Sequence, residues 1–327
     1  MALGELHLAA GHSEAARIEF AGALQRAPES FEAHLGMSRA WAAGGNAPEA
    51  ESECRRAIEL RPEDWRGHFE LGLQFFHRGE FGRAAEAWRR VTELAPDLAR
   101  GWHNLGGALY RLDRLEEATA HFRKSTEIYP SALAYGNLGT ALYYLGRHEE
   151  AIAALQRATD LSPLDPLCWG NLGNTFRWIP GHEADSARAL DKAIALGRDF
   201  VEHNPEDVRV RARFAGWLAN RGRGDEARAA IRRSLDIAPH NPECMVRAGH
   251  VYFQLGDRSE ALHWIREAVR HGYGIAELSA SRELAPLKED PDFRRILEEA
   301  PPPRTRHRRS PRSPITRGGR HGQDSAE

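Results

Sequence analysis

The chain has 327 residues, of which 41% are hydrophobic and 28% charged, a composition that is typical of folded rather than disordered proteins. Lys and Arg total 45 against 47 Asp and Glu, and this balance excludes a chain that binds nucleic acid over its whole surface. Three isolated cysteines, Cys54, Cys168 and Cys244, have no paired spacing, which indicates a reducing compartment rather than a disulfide framework or a zinc site.

Proline recurs at a nearly constant interval along the chain. It occupies positions 28, 62, 96, 130 and 163, and the series resumes at 205 and 239. A regular period of this length is typical of repeat proteins, in which each unit packs mainly on its neighbours. Within each period the apolar residues fall into two helical blocks around a glycine-containing turn, so each unit is predicted to be a helical hairpin.

The first and fourth units differ in completeness. The first matches the pattern only from Gly4 onward, so we expect a shortened terminal hairpin and favour a further region that precedes Met1. The fourth is complete, with Trp102 and Gly106 on one face of its first helix and Ala118 on its second. Gly106 and Ala118 are predicted to lie where the two helices approach each other closely.

The sixth unit is longer than the others, with 42 residues between its flanking prolines at 163 and 205. The extra length predicts a long second helix over about residues 184–202. Its apolar stripe contains Leu190, Ile194, Phe200 and Val201.

The chain is expected to end in a cap and a tail. After Gly274, short helices are predicted to pack over the last hairpin. Residues 300–327 contain seven Arg and two acidic residues with few apolar groups, so a disordered tail is predicted.

The repeated positions resemble the tetratricopeptide repeat (TPR) family, whose pattern runs from an aromatic residue through Leu-Gly, a second aromatic, Ala, another aromatic and a small residue to Pro. The third unit shows it at Leu71, Gly72, Phe75, Ala84 and Trp88. The resemblance implies an all-α, right-handed superhelical solenoid of about eight antiparallel hairpins. The predicted boundaries are 1–30, 31–64, 65–98, 99–131, 132–165, 166–207, 208–241 and 242–273, with a cap at 274–299 and the tail at 300–327.

From Trp169 to the cap, the sequence also resembles the C-terminal TPR regions of bacterial serine/threonine kinases and adenylate cyclases. This second resemblance implies a sensory or recruiting module in signalling. The chain itself contains no nucleotide-binding, kinase, hydrolase or metalloprotease motif. We therefore predict a protein that is not an enzyme and that uses no cofactor and no metal. With no apolar run of membrane-spanning length, the sequence predicts a cytoplasmic protein without a membrane anchor.

The first helices of TPR arrays line a concave groove, and the resemblance implies that particular positions there contact ligand. The sixth position is Asn in three consecutive units, at Asn104, Asn137 and Asn171. A side-chain amide offers two donors and one acceptor, so this ladder could hold the backbone of an extended peptide whatever its sequence.

The same register predicts further peptide-binding side chains in these three units. They are Arg100, His103, Tyr110, Arg111, Thr140, Tyr143, Tyr144, Asn174, Arg177 and Trp178. The tyrosines and Trp178 could instead pack between hairpins. The arginines favour an acidic or phosphorylated peptide, because guanidinium pairs with carboxylate and phosphate.

The leading hypothesis is therefore a scaffold that binds a partner protein in its groove. Two alternatives stay open: a regulatory fragment of a kinase or cyclase, and association with nucleic acid through the Arg-rich tail, which the sequence disfavours.

Overall fold

Each predicted period forms two antiparallel α-helices in the computed structural model, which describes residues 1–281 and 283–298 except for the side chains of residues 276, 277 and 280. The predicted tail at 300–327 and the last residue of the predicted cap lie outside the described residues. The prediction of an all-helical solenoid is confirmed within the described chain.

The helices alternate as the first and second members of hairpins 1 to 8. The first helices are α1 (Ala2–Ala9), α3 (Phe31–Ala43), α5 (Trp65–His77), α7 (Ala99–Arg111), α9 (Ala132–Tyr144), α11 (Pro166–Phe176), α13 (Val208–Asn220) and α15 (Pro242–Gln254). The second helices are α2 (Ser13–Arg26), α4 (Ala47–Leu60), α6 (Phe81–Leu94), α8 (Leu115–Ile128), α10 (His148–Leu161), α12 (Glu183–His203), α14 (Gly224–Ile237) and α16 (Arg258–Arg270).

Local sequence signals set where these helices begin and end. Asp64 accepts a hydrogen bond from the backbone N–H of Arg66 at the start of α5, and Ser131 caps α9 in a similar way. The turn inside hairpin 5 needs a left-handed residue, and Gly146 supplies it with φ of 76°. In hairpin 4 the same turn uses Asp113 with φ of 59°, one of the few side chains that tolerate this region.

In hairpins 1, 3, 4, 5, 6 and 8 a large side chain of the second helix packs on a glycine of the first. A Cβ atom on Gly106 would lie 2.8 Å from the ring of Phe122 and 3.2 Å from the carbonyl oxygen of Ala118. Phe122 is fully buried at this contact. The predicted close approach of α7 and α8 therefore depends on the absence of a side chain at Gly106.

Hairpin 6 has the long second helix that its sequence predicted, because α12 spans 21 residues. Its additional turns meet Trp217 of the next hairpin. A Cβ atom on Gly170 of α11 or on Gly197 of α12 would lie 2.2 or 3.0 Å from the Trp217 ring, respectively. Trp217 thus joins hairpins 6 and 7 into one core.

A short C-terminal segment covers hairpin 8. It contains α17 (Ile275–Ala280), a 3-10 helix (Ala285–Leu287) and α18 (Pro291–Glu298). Leu278, Leu284, Phe293 and Ile296 are buried in the same core as hairpin 8. Ion pairs from Arg258 of α16 to Asp290 and Asp292 hold the segment in place, at 2.6 and 2.7 Å. None of the helices within residues 1–281 and 283–298 is long and apolar enough to cross a membrane.

Adjacent glycines on α7 give a direct test of the hairpin contact. Gly106→Ala should lower the free energy of unfolding by about 1–3 kcal/mol, because the buried Phe122 ring must shift. Gly107→Ala is the matched control, since a Cβ atom there meets no atom within 4 Å, and alanine should raise helix stability by about 0.5–1 kcal/mol. Urea midpoints from circular dichroism measure both, and equal midpoints would contradict the packing argument.

Candidate functional site

The first helices of successive hairpins meet along one surface, which we call the inner face. Three side-chain contacts define it: the Asn137 amide nitrogen lies 3.3 Å from Nε2 of His103, a guanidinium nitrogen of Arg213 lies 3.5 Å from the Asn171 amide oxygen, and Asn220 donates to Asn174 at 3.0 Å. Residues of different first helices therefore come together although 34 to 46 residues separate them, and Arg213 and Asn171 do so from the same repeat position.

The three ladder asparagines lie on this inner face and are all half-buried. The Asn104 side-chain amide makes no hydrogen bond to any described group, so its donors and acceptor are not satisfied within this part of the chain. Asn137 contacts His103, whose pKa is lowered by burial and by the charge of Arg100. The His103 ring is therefore neutral at neutral pH and able to accept from the amide.

The predicted tyrosines form an aromatic cluster between hairpins 4 and 5. The rings of Tyr110 and Tyr144 lie edge to face with centroids 6.0 Å apart, and those of Tyr143 and Tyr144 are 5.4 Å apart. Burial raises the pKa of Tyr110 to about 12 and also raises the pKa of Tyr144. Both phenols therefore stay protonated and keep a hydroxyl on the inner face.

The predicted arginines have different surroundings. Arg100 is exposed, with its guanidinium carbon 5.0 Å from the centroid of the Phe69 ring. Arg111 lies over Phe81 at 4.6 Å, and a guanidinium nitrogen lies 3.9 Å from Glu243 of hairpin 8. That second contact crosses from hairpin 4 to hairpin 8, so the inner face curves enough for distant repeats to face one another.

Three of the other predicted residues lie at or just after the end of α11, the first helix of hairpin 6. Because α11 ends at Phe176, Arg177 and Trp178 belong to the following turn rather than to the helical face from which their positions were read. Both side chains are exposed, and the Arg177 guanidinium carbon lies 5.5 Å from the Trp178 ring centroid. Asn174 remains on α11 and contacts Asn220. Thr140, on α9, donates to the carbonyl oxygen of Gly136 at 2.8 Å.

A cleft on the inner face of hairpins 1 to 4 was not identified from the sequence. It has a volume of about 440 Å³ and an apolar floor of Leu35, Phe69 and Leu73. Arg39 at its side pairs with Glu5 at 2.7 Å. These residues occupy the same repeat positions as His103 and Thr140, so the sequence carried a signal for them, but the peptide-binding prediction covered only units four to six.

Sequence reasoning also missed the continuation of the ladder. The sixth position becomes Arg213 in hairpin 7 and Arg247 in hairpin 8, on α13 and α15. His250 lies one turn beyond Arg247, is buried, and has Nε2 within 3.3 Å of the Ser281 hydroxyl. Among the side chains that the structure describes, no group of three or more His, Cys, Asp or Glu could hold a metal ion.

Three family models described as tetratricopeptide repeat match residues 1–64, 97–164 and 242–270. No curated protein matches the chain significantly.

Several solved structures are similar to this chain at low sequence identity. The crystal structure of the APC/C hetero-tetramer Cut9–Hcn1 matches with a TM-score of 0.57 and 18% identity, over 80% of this chain and 48% of that chain. MamA from Desulfovibrio magneticus RS-1 matches with a TM-score of 0.49 and 22% identity, over 52% of this chain and 96% of that chain. TTC0263, a thermophilic TPR protein of Thermus thermophilus, matches with a TM-score of 0.46 and 22% identity, over 58% of this chain and 99% of that chain.

The buried His250 predicts a loss of stability in mild acid. Burial lowers its pKa to about 4, against an opposing effect of Glu283, whereas an unfolded chain would protonate it near 6.5. Between these values the unfolded state binds more protons, so the free energy of unfolding should fall as the pH drops from about 6.5 to 4.

The substitution His250→Gln should flatten this part of the pH profile, and His263→Gln, at an exposed histidine on α16, should leave it unchanged. Melting temperatures across this range provide the measurement. An unaltered profile for His250→Gln would show that other groups cause the acid sensitivity.

Proposed function

This chain is a tetratricopeptide-repeat solenoid, and on that premise we propose that it is a scaffold that binds an extended segment of a partner protein along the inner face of hairpins 4 to 6. The single observation that carries this proposal is the run of half-buried amides at Asn104, Asn137 and Asn171. They belong to first helices that follow one another along the solenoid, so a chain lying across those helices would meet them in turn.

The spacing of the amides suits an extended backbone. Packed helices lie about 8–10 Å apart, and an extended chain advances about 3.3 Å per residue. One amide is therefore available for roughly every third residue of a bound segment. Each can donate to a backbone carbonyl and accept from a backbone N–H, which gives affinity without selecting a sequence.

The surrounding side chains support selection of an acidic segment. Arg100 projects into solvent beside the ladder, and Arg111 already has a carboxylate of this chain, that of Glu243, 3.9 Å away. A carboxylate or phosphate of a partner could occupy comparable positions, where guanidinium offers paired donors. Tyr110 and Tyr144, whose hydroxyls interact with each other, lie close by and are uncharged.

The cleft of hairpins 1 to 4 extends the same surface. Arg100 lines it together with Leu35, Phe69 and Leu73, so a segment leaving Asn104 toward the amino end would pass over an apolar floor. An apolar side chain of the partner could be buried there, which would add to the hydrogen bonds of the ladder.

We further propose that this scaffold is not an enzyme and works in the cytoplasm. The three cysteines are buried, and burial raises the pKa of each thiol, to about 12 for Cys54 and Cys168 and about 11 for Cys244. Such thiols are poor nucleophiles and are suited to structural positions in a reducing compartment.

The resemblance from Trp169 onward to the C-terminal regions of kinases and cyclases supports a second candidate function, regulation of a signalling enzyme. In that case the inner face would bind a substrate or regulator of the catalytic part. Sequencing the genomic reading frame upstream of Met1 tests this candidate, since a stop codon directly upstream would contradict it.

Replacing Asn104, Asn137 and Asn171 together by Ala should weaken the binding of a captured partner segment by at least tenfold. Each lost hydrogen bond contributes about 0.5–1.5 kcal/mol, and about 1.4 kcal/mol corresponds to a factor of ten. The full chain is used as bait in source-cell lysate, and fluorescence anisotropy then measures the affinity for the segment identified.

The control variant replaces Glu86, Glu116 and Glu149 by Ala, at exposed positions on second helices. It should bind as the unmodified chain does. Circular dichroism of both variants should show an unchanged fold. Equal affinity of the asparagine variant and the unmodified chain would exclude the ladder as the binding site.

A further inference from the structure

The amide ladder changes its chemistry in the last two hairpins. The position that carries Asn in hairpins 4 to 6 carries Arg213 on α13 and Arg247 on α15, and these two helices pack directly against each other. Arg209 lies one helical turn before Arg213, on the same side of α13. Three guanidinium groups are therefore brought together on the inner face.

These three guanidinium groups have no carboxylate partner within the described part of the chain. Among the side chains that the structure describes, no carboxylate oxygen lies within 4.0 Å of Arg209, Arg213 or Arg247. Arg213 contacts the amide oxygen of Asn171 at 3.5 Å. By contrast, Arg221, two turns further and directly after α13, pairs with both carboxylate oxygens of Asp191 at 2.7 and 3.0 Å.

Withdrawing unpaired positive charge from water is unfavourable. Arg213 and Arg247 are half-buried, and burial together with the charges of Arg247 and Arg209 lowers the pKa of Arg213 to about 10. The group still carries its proton at neutral pH. The folded chain thus holds neighbouring positive charges at half-buried positions. Binding of an anion there would be favourable, because it would offset their mutual repulsion.

The groups around the cluster leave this charge only partly balanced. Glu243 lies 3.9 Å from Arg111 and also acts electrostatically on Arg213, and Glu283 interacts electrostatically with His250 and Arg247. His250 is neutral near pH 7 because burial lowers its pKa to about 4. The charges of Arg247 and Glu283 affect the pKa of both Tyr110 and Tyr144. The tyrosine pair of hairpins 4 and 5 therefore lies near the same region.

We propose that Arg213 and Arg247, with Arg209 at the rim, form a binding site for an oxyanion group, either phosphate or carboxylate. The two half-buried guanidinium groups would donate to the oxygens of the anion, since planar guanidinium matches both groups in geometry. The Asn171 amide, which now contacts Arg213, would keep that side chain in position. A ligand with such a group would enter the inner face between hairpins 6 and 8.

This site differs from the asparagine ladder in chemistry but shares Asn171 with it, because Asn171 contacts Arg213. Its cations lie on α13 and α15, whereas the ladder lies on α7, α9 and α11, and the probe used below is an inorganic anion that needs no peptide backbone. Replacing only Asn104 and Asn137 leaves Asn171 in place, so a loss of peptide binding in that variant concerns the ladder alone. An absent response to phosphate in the unmodified chain contradicts the anion site alone.

The experiment measures the melting temperature of the full chain as inorganic phosphate replaces sodium chloride at constant ionic strength. The unmodified chain should show a saturable rise, because a ligand that binds only the folded state stabilises it. Arg213→Gln and Arg247→Gln should each abolish the rise. Arg221→Gln, which breaks the exposed pair with Asp191, should change the melting temperature in chloride little and keep the rise.

A parallel titration with acetate distinguishes the two anions. A rise with phosphate alone assigns the site to phosphoryl groups, and equal rises with both anions extend it to carboxylates. No saturable rise with either anion, or the same rise in Arg213→Gln as in the unmodified chain, would overturn the proposal.

The stability of the anion-free variants gives a second readout. Because Arg213 loses no ion pair to any described carboxylate, Arg213→Gln should leave the melting temperature in chloride unchanged or raise it by relieving the repulsion from Arg247 and Arg209. A purely structural role for Arg213 predicts the opposite sign, a clear drop in chloride, and that drop combined with a retained response to phosphate would contradict a binding role.

Discussion

The structure depends on one repeated contact, in which a large side chain of the second helix packs directly on a glycine of the first, as in hairpins 3 to 6 and in hairpin 8. The pairs are Gly72 with Trp88, Gly106 with Phe122, Gly139 with Leu155, Gly173 with Leu190 and Gly249 with Ile265. Each contact leaves no room for a Cβ atom, so the two helices form a thin hairpin. A hairpin this thin has too little interior to bury its own apolar residues, so the next hairpin has to cover them. Stacking is therefore a consequence of the glycine contact, and so is the uniform register of the first helices.

That uniform register explains why one repeat position can build a continuous surface. Asn171 and Arg213 are 42 residues apart, yet they meet at 3.5 Å because both occupy the sixth position of their units. The extra turns of α12 are accommodated on the other side, against Phe214 and Trp217, and do not interrupt the inner face. The surface thus changes from amides to guanidinium groups at hairpin 7 without a break in geometry. A ligand that follows the solenoid would meet both chemistries in order.

The sequence was sufficient to predict what depends on neighbours in the chain. The proline period predicted the hairpins, and the longer interval in the sixth unit predicted α12. The sequence was insufficient to place residues whose position depends on where a helix ends or on how the array curves. Arg177 and Trp178 were assigned to a helical face by counting, but α11 ends at Phe176. The contact of Arg111 with Glu243 depends on the curvature of the array between hairpins 4 and 8. That curvature is the sum of small rotations between successive hairpins, and no local sequence pattern specifies it. The inner-face asparagines were recognisable because their position is local to each unit. Whether they bind a partner is a property of the assembled surface.

The overall charge of the chain is close to zero, but its charged side chains differ in burial and in how they are paired. Several arginines that directly precede second helices form ion pairs within a turn, as Arg114 does with Glu117 and Arg223 with Glu226, and these pairs are exposed. Exposed pairs contribute little to stability and are weakened by salt. Arg213 and Arg247 differ from these arginines in burial and in pairing. They are half-buried, and among the described side chains no carboxylate lies within 4.0 Å of either. Their charges are therefore less screened than those of the exposed pairs. A nearly neutral solenoid can in this way select an anion, since the selection depends on where the unpaired charges lie and not on their total.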